Sequence, residues 1–365
     1  MKSASVFIVL FFTVYLSAQM WSEFQKVLPS DGASSEEFGR SVSISGDYAV
    51  IGAYKDNDNG FESGSAYIFY WNGSEWIEQA KLIASDGAAG DKFGMGVAIS
   101  GDYVVIGAFL DDDNGTDSGS GYIFYRNGTN WTEQAKMLAS DGTIDDKFGI
   151  AVDISGDYIF IGATGCDGPI STDSGATYVF KRNGTNWLEH QKLTPSEPAD
   201  DGVFGKSVSI SNDYAVIGGW GDDDNGVASG SAYIFINNNN TWTEQVKILP
   251  DDGATDDLFG RSVDIFGDYV VVGAYGDDDN GSVSGSAYVF IRNDTIWTQQ
   301  AKLIASDGAA FDAFGWSVAI YDDFVVCGAV MNHDNGQSSG SAYVFQRTGT
   351  IWTEQVNLLS SDGAV

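Results

Sequence analysis

Clusters of aspartate are the residues in this sequence whose types and spacing are best suited to chemistry. The run GDDDNG occurs at residues 221–226 and 276–281, with close variants at 110–115 and 54–60. Two carboxylates about 4 Å apart repel by about 4 kcal/mol at an effective dielectric near 20, and Ca²⁺, which binds clustered oxygen ligands, would relieve this repulsion. The pattern therefore predicts calcium ligands at Asp56, Asp58, Asp111, Asp113, Asp222, Asp224, Asp277 and Asp279.

The same loops have a second interpretation that needs no metal. Asp, Asn and Gly are the commonest turn residues, because their side chains bond to the local backbone or tolerate positive φ. The ligand spacing is not that of an EF-hand loop. In the third unit, GCDGPISTDSG at 165–175 lacks the triple Asp, so a cation there would have only Asp167 and Asp173. Calcium binding and plain turn formation both remain open at this stage.

Aromatic residues close to these loops form a second candidate site. Exposed rings stack on sugars or anchor a protein partner, although packing between repeats is the other common use. Trp220 and Trp316 stand out because they interrupt the internal repeat of the sequence. The candidate ligand-binding residues are Tyr54, Phe109, Trp220, Tyr275 and Trp316.

Catalytic motifs are missing from the sequence. The two histidines, His190 and His333, fall in different units, and neither a nucleophile elbow, an HExxH motif nor a phosphate loop occurs. Paired carboxylates could in principle hydrolyse glycosidic bonds, so a carbohydrate-active enzyme stays as an alternative. The acidic residues recur in every unit, however, whereas a catalytic pair breaks symmetry. We therefore expect a protein that is not an enzyme.

The elements that position these residues are repeated units of about 55 residues. Each unit alternates apolar and polar residues, as in SVSIS at 41–45, and carries a largely apolar run such as YAVIGA at 48–53. These patterns indicate strands, and Asn72-Gly73 is a strong hairpin signal. A Phe-Gly pair marks the start of each unit, at Phe38, Phe93, Phe148, Phe204, Phe259 and Phe314.

Four short strands per unit predict an all-β fold, a β-propeller of four-stranded antiparallel blades, in preference to a β-solenoid. In that topology the loops between strands two and three lie on the same face as the loops between blades. Both loop classes are acidic here, so we expect one strongly negative face. The recurrent Phe and Trp residues are expected to pack between blades.

The Phe-Gly pairs, the Gly-Ala pairs such as Gly52-Ala53, and segments such as SGSAYVF at 284–290 resemble the FG-GAP repeat. This repeat forms the propeller of integrin α subunits and occurs in many secreted bacterial proteins, and the bacterial-style form is the more similar. The resemblance implies adhesion or recognition. No proline follows Gly-Ala, and the calcium loop of integrins is replaced by a short turn such as SGD at 45–47, so integrin calcium sites are not carried over.

Six complete units run from Ser41 to Leu359, and WSEFQKVL at 21–28 predicts an additional strand before them. A ring of six blades would leave this strand surplus. A seven-bladed ring, as in integrins, would require three further strands, as in a truncated chain. The sequence leaves both interpretations open.

Composition and the N-terminus bear on location and partners. Residues 1–18 have the lysine, apolar run and small residues of a secretory signal peptide, so residues 19–365 should form a secreted or cell-surface propeller without membrane insertion after cleavage. The formal charge of −33 disfavours nucleic acid as a partner.

Cys327 replaces a core aliphatic residue, and we expect no disulfide with Cys166. We expect the protein to recognise an extracellular protein or glycan through its acidic face, or else to be a structural surface or matrix module with cation-dependent rigidity.

Overall fold

The computed structural model describes residues 21–168 and 171–363, and this part of the chain contains 24 strands and no helix. The strands form six four-stranded antiparallel sheets, each in simple sequence order. The prediction of an all-β propeller with six repeats of about 55 residues is confirmed. The predicted signal peptide lies outside the described residues.

Each blade consists of four consecutive strands. Blades 1 to 3 comprise β1 Phe38–Ser45, β2 Tyr48–Ala53, β3 Ser65–Trp71, β4 Trp76–Leu82; β5 Phe93–Ser100, β6 Tyr103–Ala108, β7 Ser120–Asn127, β8 Asn130–Met137; β9 Phe148–Ser155, β10 Tyr158–Ala163, β11 Ala176–Asn183 and β12 Asn186–Leu193. Blades 4 to 6 comprise β13 Ser207–Ser211, β14 Tyr214–Gly219, β15 Ser231–Asn238, β16 Thr241–Ile248; β17 Ser262–Phe266, β18 Tyr269–Ala274, β19 Ser286–Asn293, β20 Ile296–Leu303; β21 Phe314–Tyr321, β22 Phe324–Ala329, β23 Ser341–Thr348 and β24 Ile351–Leu359.

Burial explains the composition of the strands. The second strand of a blade, such as β6, is buried along almost its whole length because neighbouring blades cover both of its faces. β-Branched residues suit this environment. The predicted hairpin turn between β3 and β4 is formed, with Gly73 at a φ of 96°. The first strands of successive blades pack against one another, whereas the fourth strands make few such contacts. The first strands therefore line the axis and the fourth strands lie at the periphery.

The Phe-Gly and Gly-Ala pairs fit together between adjacent blades. A Cβ atom on Gly52 of blade 1 would lie 2.0 Å from the carbonyl oxygen of Gly94 in blade 2, and Gly94 has a φ of 91°. The same approach joins Gly107 to Gly149. Only glycine allows backbones to approach this closely. The two sequence signatures are thus the two halves of one contact between blades.

The predicted packing role of the aromatic residues is also confirmed. Tyr48 in blade 1 makes an edge contact with Trp131 in blade 2, with ring centroids 6.0 Å apart, and Phe148 joins a core shared by blades 2 and 3. Cys327 is fully buried in the core between blades 5 and 6, and neither Cys327 nor Cys166 forms a disulfide.

The segment at 21–28 differs from its prediction, because it is not a strand. It nevertheless makes the contacts of a fourth strand. Glu23 accepts hydrogen bonds from the backbone and hydroxyl of Ser361, at 2.9 and 3.1 Å, just as Glu78 of β4 accepts them from Ser30. The segment therefore occupies a fourth-strand position between blade 6 and blade 1. Within residues 21–168 and 171–363, no third strand lies beside it to complete a ladder.

The faces of blades 6 and 1 next to this segment are unlike the other blade interfaces. Along most of their length the first strands β21 and β1 do not pack against each other as other neighbouring first strands do, although Arg40 of β1 approaches the ring of Trp316 in β21. Val42 and Ile44 are 44% and 49% exposed, whereas Val97 and Ile99 at the equivalent positions of blade 2 are each 6% exposed. A cleft with an apolar wall thus separates the inner strands of blade 6 from those of blade 1.

Candidate functional site

The acidic loops hold lysine side chains from the fourth strands. In blade 5, Lys302 Nζ lies 2.8 Å from Asp277, 2.6 Å from Asp279 and 2.8 Å from Asp252. Asp277 is only 3% exposed, and its carboxylate also accepts a hydrogen bond from Ser286 and lies 2.9 Å from the Tyr288 hydroxyl. The same arrangement recurs at Lys81 with Asp31, Asp56 and Asp58, at Lys136 with Asp86, Asp111 and Asp113, and at Lys247 with Asp222 and Asp224.

The electrostatics of this arrangement keep the lysine charged. Burial favours the neutral amine, but hydrogen bonds to Asp252, Asp277 and Asp279 outweigh that effect and raise the pKa of Lys302. Burial also opposes ionisation of Asp252, yet the hydrogen bond with Lys302 lowers the pKa of that carboxyl. The ammonium group thus relieves the repulsion among the loop carboxylates, which is the role that the sequence assigned to calcium.

All eight residues predicted as calcium ligands contact one of these lysines. Within residues 21–168 and 171–363, no group of three or more His, Cys, Asp or Glu side chains is arranged to hold a metal ion. Calcium binding stays a prediction, since it would have to compete with the lysines. Sequence reasoning overlooked the lysines, although each recurs in phase with the repeat, 25 residues after its buried aspartate, as in Asp111 and Lys136.

Two blades depart from the pattern in an informative way. In blade 3, Cys166 replaces the buried aspartate, with Sγ 3.5 Å from the Tyr178 hydroxyl, and Lys192 pairs with Asp141 alone. In blade 6, Asn332 and Asn357 replace both the buried aspartate and the lysine. Asn357 donates hydrogen bonds of 3.0 Å to Asp307 and Asp334. Blade 6 therefore lacks both charges of the pair, whereas blade 3 keeps its lysine and pairs it with Asp141.

A cationic and aromatic cluster lies at the axis on the same face. The residue after each Phe-Gly pair lies at or just before the start of the inner strand, and these equivalent residues include Arg40, Lys206, Arg261 and Trp316. The guanidinium carbon of Arg261 lies 4.5 Å from the Trp316 ring centroid, and that of Arg40 lies 5.9 Å from it. Tyr275 makes an edge contact with Trp316 at 4.7 Å. We call Arg40, Lys206, Arg261, Tyr275 and Trp316 the axial cluster.

The cations of this cluster are not paired with acids. Most Lys and Arg side chains in this acidic protein contact a carboxylate. Burial, together with Arg261, Arg40 and Lys147, lowers the pKa of Lys206 to about 8, and burial and Arg40 lower the pKa of Arg261. Among the described residues, the cations without an ion pair are Arg40, Lys147, Lys181, Lys206 and Arg261.

The structure brings only two of the five predicted ligand-binding aromatic residues together, Tyr275 and Trp316. Tyr54 belongs to a separate group, in which its hydroxyl donates to Glu37 at 2.8 Å and Lys55 lies 5.3 Å from its ring centroid. Phe109 and Trp220 follow the second strands of blades 2 and 4, and the ring contacts among the described residues do not join them to the axial cluster. Their ligand-binding role stays a prediction.

The repeat sequence identifies the family. The FG-GAP repeat matches most of the chain, and the protein belongs to this family of β-propellers. The first match begins at Trp21 and each later match begins at a fourth-strand Trp, and every match continues through the next three strands, so the sequence repeat is offset by one strand from the blade. The matched segments are residues 21–69, 76–124, 131–180, 187–235, 242–290 and 297–345.

A solved structure shares the fold. The crystal structure of a protein from Lactobacillus plantarum is similar with a TM-score of 0.58 and 14% identity, over 91% of this chain and 89% of that one. No curated protein matches the chain. In the described part of the chain, no helix has the length and apolar character needed to cross a membrane. The fold fits a ligand-binding or a structural module.

Proposed function

We propose that this protein is a non-catalytic, extracellular recognition module that binds a protein or glycan ligand at the axial end of its loop face. The observation that carries the proposal is the contact between Trp316 and Tyr275. Both rings are half-buried, and Trp316 lies on a first strand at a position where the other blades carry different residues. Aromatic residues in such settings supply much of the binding energy of protein and sugar recognition.

The acidic loops, which are held by ion pairs with lysine, support recognition by keeping the surrounding face rigid. A loop such as 277–285 is fixed by the ion pairs of Lys302, by the hydrogen bond from Ser286 and by backbone bonds such as Gly285 N to Asp277 O. Ordering a loop on binding costs free energy, so a loop that is already ordered binds more tightly.

The arrangement of the acids supports a non-catalytic role. The buried loop carboxylates are engaged by lysine in four blades and are repeated around the axis, as at Asp56 and Asp111. A general acid or nucleophile in a glycosidase needs a partner carboxylate across a sugar-sized gap. The residues in contact with Trp316 are two arginines and a tyrosine, and not the pair of carboxylates that most glycosidases use.

Export, adhesion and calcium dependence are finer parts of the proposal. The signal-like residues 1–18 support secretion or cell-surface display, and membership of the FG-GAP family supports adhesion. Calcium would act by displacing loop lysines such as Lys302 from their carboxylates, because the predicted ligands are the residues that hold them.

A binding screen tests the proposal. The mature chain, Trp316→Ala and Phe61→Ala would be applied to glycan and extracellular-protein arrays at equal concentration. Phe61 is the matched control because it is a 73% exposed aromatic residue of the same loop face that lies between β2 and β3 and not on a first strand. We expect saturable binding that Trp316→Ala abolishes and Phe61→Ala preserves. Absence of any saturable ligand, or equal loss in both variants, would refute recognition at this site.

A further inference from the structure

We infer that the axial cluster binds an anionic group of the ligand, a carboxylate or sulfate, carried by an otherwise uncharged molecule. This inference rests on the proposed function, because it assigns the ligand chemistry of the same site. It depends on three cations, Arg40, Lys206 and Arg261, that come from three different blades and converge at the axis.

Among the described residues of this face, the other cation without an ion pair is Lys147, which lies near Lys206. Lys81, Lys136, Lys247 and Lys302 each hold a buried aspartate. Arg261 and Lys206 instead have other cations as neighbours, and Arg261 also has the Trp316 ring, whereas Arg40 lies near Trp316 and also interacts with the carboxylate of Glu37. Like charges in a partly buried site repel one another. A bound anion would relieve that repulsion, just as the lysine side chains relieve the repulsion among the carboxylates of the acidic loops.

The geometry suits a planar oxyanion. Arginine presents a fork of N–H donors that matches a carboxylate or sulfate in two parallel hydrogen bonds. Arg261 lies over the Trp316 ring, which positions the guanidinium by a cation–π contact while its N–H edges stay available for a ligand. Tyr275 makes an edge contact with the same Trp316 ring. The cluster is thus an ordered donor set.

The acidic loops around the axis restrict which anions can reach the cluster. Partly exposed carboxylates such as Asp58, Asp113 and Asp279 surround the site on the same face. They create a negative potential that disfavours an extended polyanion such as nucleic acid or a highly sulfated chain. A single acidic group on a neutral ligand avoids most of this repulsion. An acidic sugar residue and an acidic amino-acid side chain both have this chemistry.

Titration calorimetry with defined probes tests the inference. The probes are glucuronate with glucose as its neutral match, and N-acetylglutamate amide with N-acetylglutamine amide as its match. We expect the acids to bind and the neutral probes to bind at least tenfold more weakly. Tighter binding of glucuronate would indicate that the anionic group belongs to a sugar. Tighter binding of the glutamate derivative would indicate that it belongs to a peptide. Equal binding of acids and neutral matches, or no binding of either acid, would overturn the inference.

Matched variants locate the site. Arg261→Gln and Lys206→Gln should each weaken acid binding at least tenfold, with the melting temperature measured to establish folding. Lys181→Gln is the control, because Lys181 also lacks an ion pair among the described residues but lies at the end of β11 on the opposite face. Wild-type affinity in Arg261→Gln, or an equal loss in Lys181→Gln, would overturn the inference.

Two further readouts separate this inference from the proposed function. Because the pKa of Lys206 is lowered to about 8, acid binding should weaken between pH 7 and pH 9 in the native chain and less so in Lys206→Gln. An array ligand that requires Trp316 but is indifferent to Arg261→Gln and to pH would leave the proposed function intact and overturn the anionic chemistry. Loss of all saturable array binding would overturn the proposed function itself.

Discussion

Trp21 packs edge-on against Phe324, with ring centroids 5.5 Å apart, and so links the N-terminal segment to blade 6. The equivalent contact in other blades joins a second-strand tyrosine to the fourth-strand tryptophan of the next blade, as in Tyr103 with Trp187. Residues from the two ends of the described chain are thereby held together, with Glu23 and Ser361 bonded as well.

Removing this contact should destabilise the propeller. Trp21→Ala deletes a partly buried aromatic side chain, and we expect a loss of about 2 kcal/mol in the free energy of unfolding, below the 3–5 kcal/mol of a fully buried site. Urea denaturation followed by circular dichroism measures it. Phe61→Ala, which alters a 73% exposed ring, should change stability by less than about 0.5 kcal/mol. Equal effects in the two variants would argue against a closing role for Trp21.

The buried Asp–Lys pair should show strong coupling between its two members. Lys302→Asn leaves Asp277 buried beside Asp252 and Asp279 without their cation, and breaking such a pair costs about 3–5 kcal/mol. Combining Lys302→Asn with Asp277→Asn copies the neutral arrangement found in blade 6.

We expect the double variant to recover at least half of that loss, as measured by chemical denaturation of both single variants and the double. Simple additivity of the two single effects would contradict the charge-pair interpretation.

Calcium binding is tested by thermal melts in CaCl₂, MgCl₂ and EDTA at matched ionic strength. If calcium competes with lysine for the loop oxygens, Lys302→Met should gain more calcium-specific stabilisation than the native chain, because Asp252, Asp277 and Asp279 lose their ammonium partner. A calcium-specific rise in the native chain would establish native metal sites. Identical melts of both proteins in all three solutions would refute calcium binding at this loop.

Asp153 should make stability depend on pH. Burial raises the pKa of Asp153 to about 7, well above an unfolded value near 3.9, even though it accepts a hydrogen bond of 2.8 Å from the Ile210 backbone of the next blade. Between about pH 4 and 7, Asp153 is therefore protonated in the folded protein but ionised in the unfolded chain. The contribution of this group to stability falls as pH rises through that window.

Asp153→Asn should flatten this part of the profile of unfolding free energy against pH. Asp157→Asn is the control, because Asp157 is an exposed acid of the same blade, paired with Arg182. A profile with the same slope in Asp153→Asn and in the native chain between pH 4 and 7 would show that Asp153 does not titrate in this range.

The cleft between blades 6 and 1 should accept a further set of three inner strands. A Cβ atom added to Gly328 would meet only Ser317 of its own blade, and among the described residues no glycine of a next blade approaches it. Fusing a copy of residues 311–348 after residue 365 would supply a Phe-Gly pair that could approach Gly328. We expect a higher melting temperature and slower hydrogen exchange in β1, where Val42 and Ile44 are now exposed. A matched fusion with Ser in place of both residues of the added Phe-Gly pair should give neither effect. If both fusions behave alike, the cleft does not accept a blade.

The sequence by itself determined the repeat, the strands and the propeller, because each unit carries its own alternation, turn glycines and Phe-Gly pair within about 55 residues, as from Phe38 to Phe93. It also placed the acidic loops on one face, since that follows from strand order alone. These features are local and are repeated six times, so each unit supports the interpretation of the others.

Only the tertiary structure decided which side chains meet. Lys302 reaches Asp277 because β20 and the loop after β18 end on the same face of one sheet, and the repeat period alone does not show that contact. Arg40 and Trp316 come close only because blades 1 and 6 converge at the axis. The pattern of residues 21–28 predicts a strand, but no neighbouring strand in the described part of the chain bonds with this segment. Contacts across the axis depend on how the blades curve around it, and no pattern within a single repeat encodes that geometry.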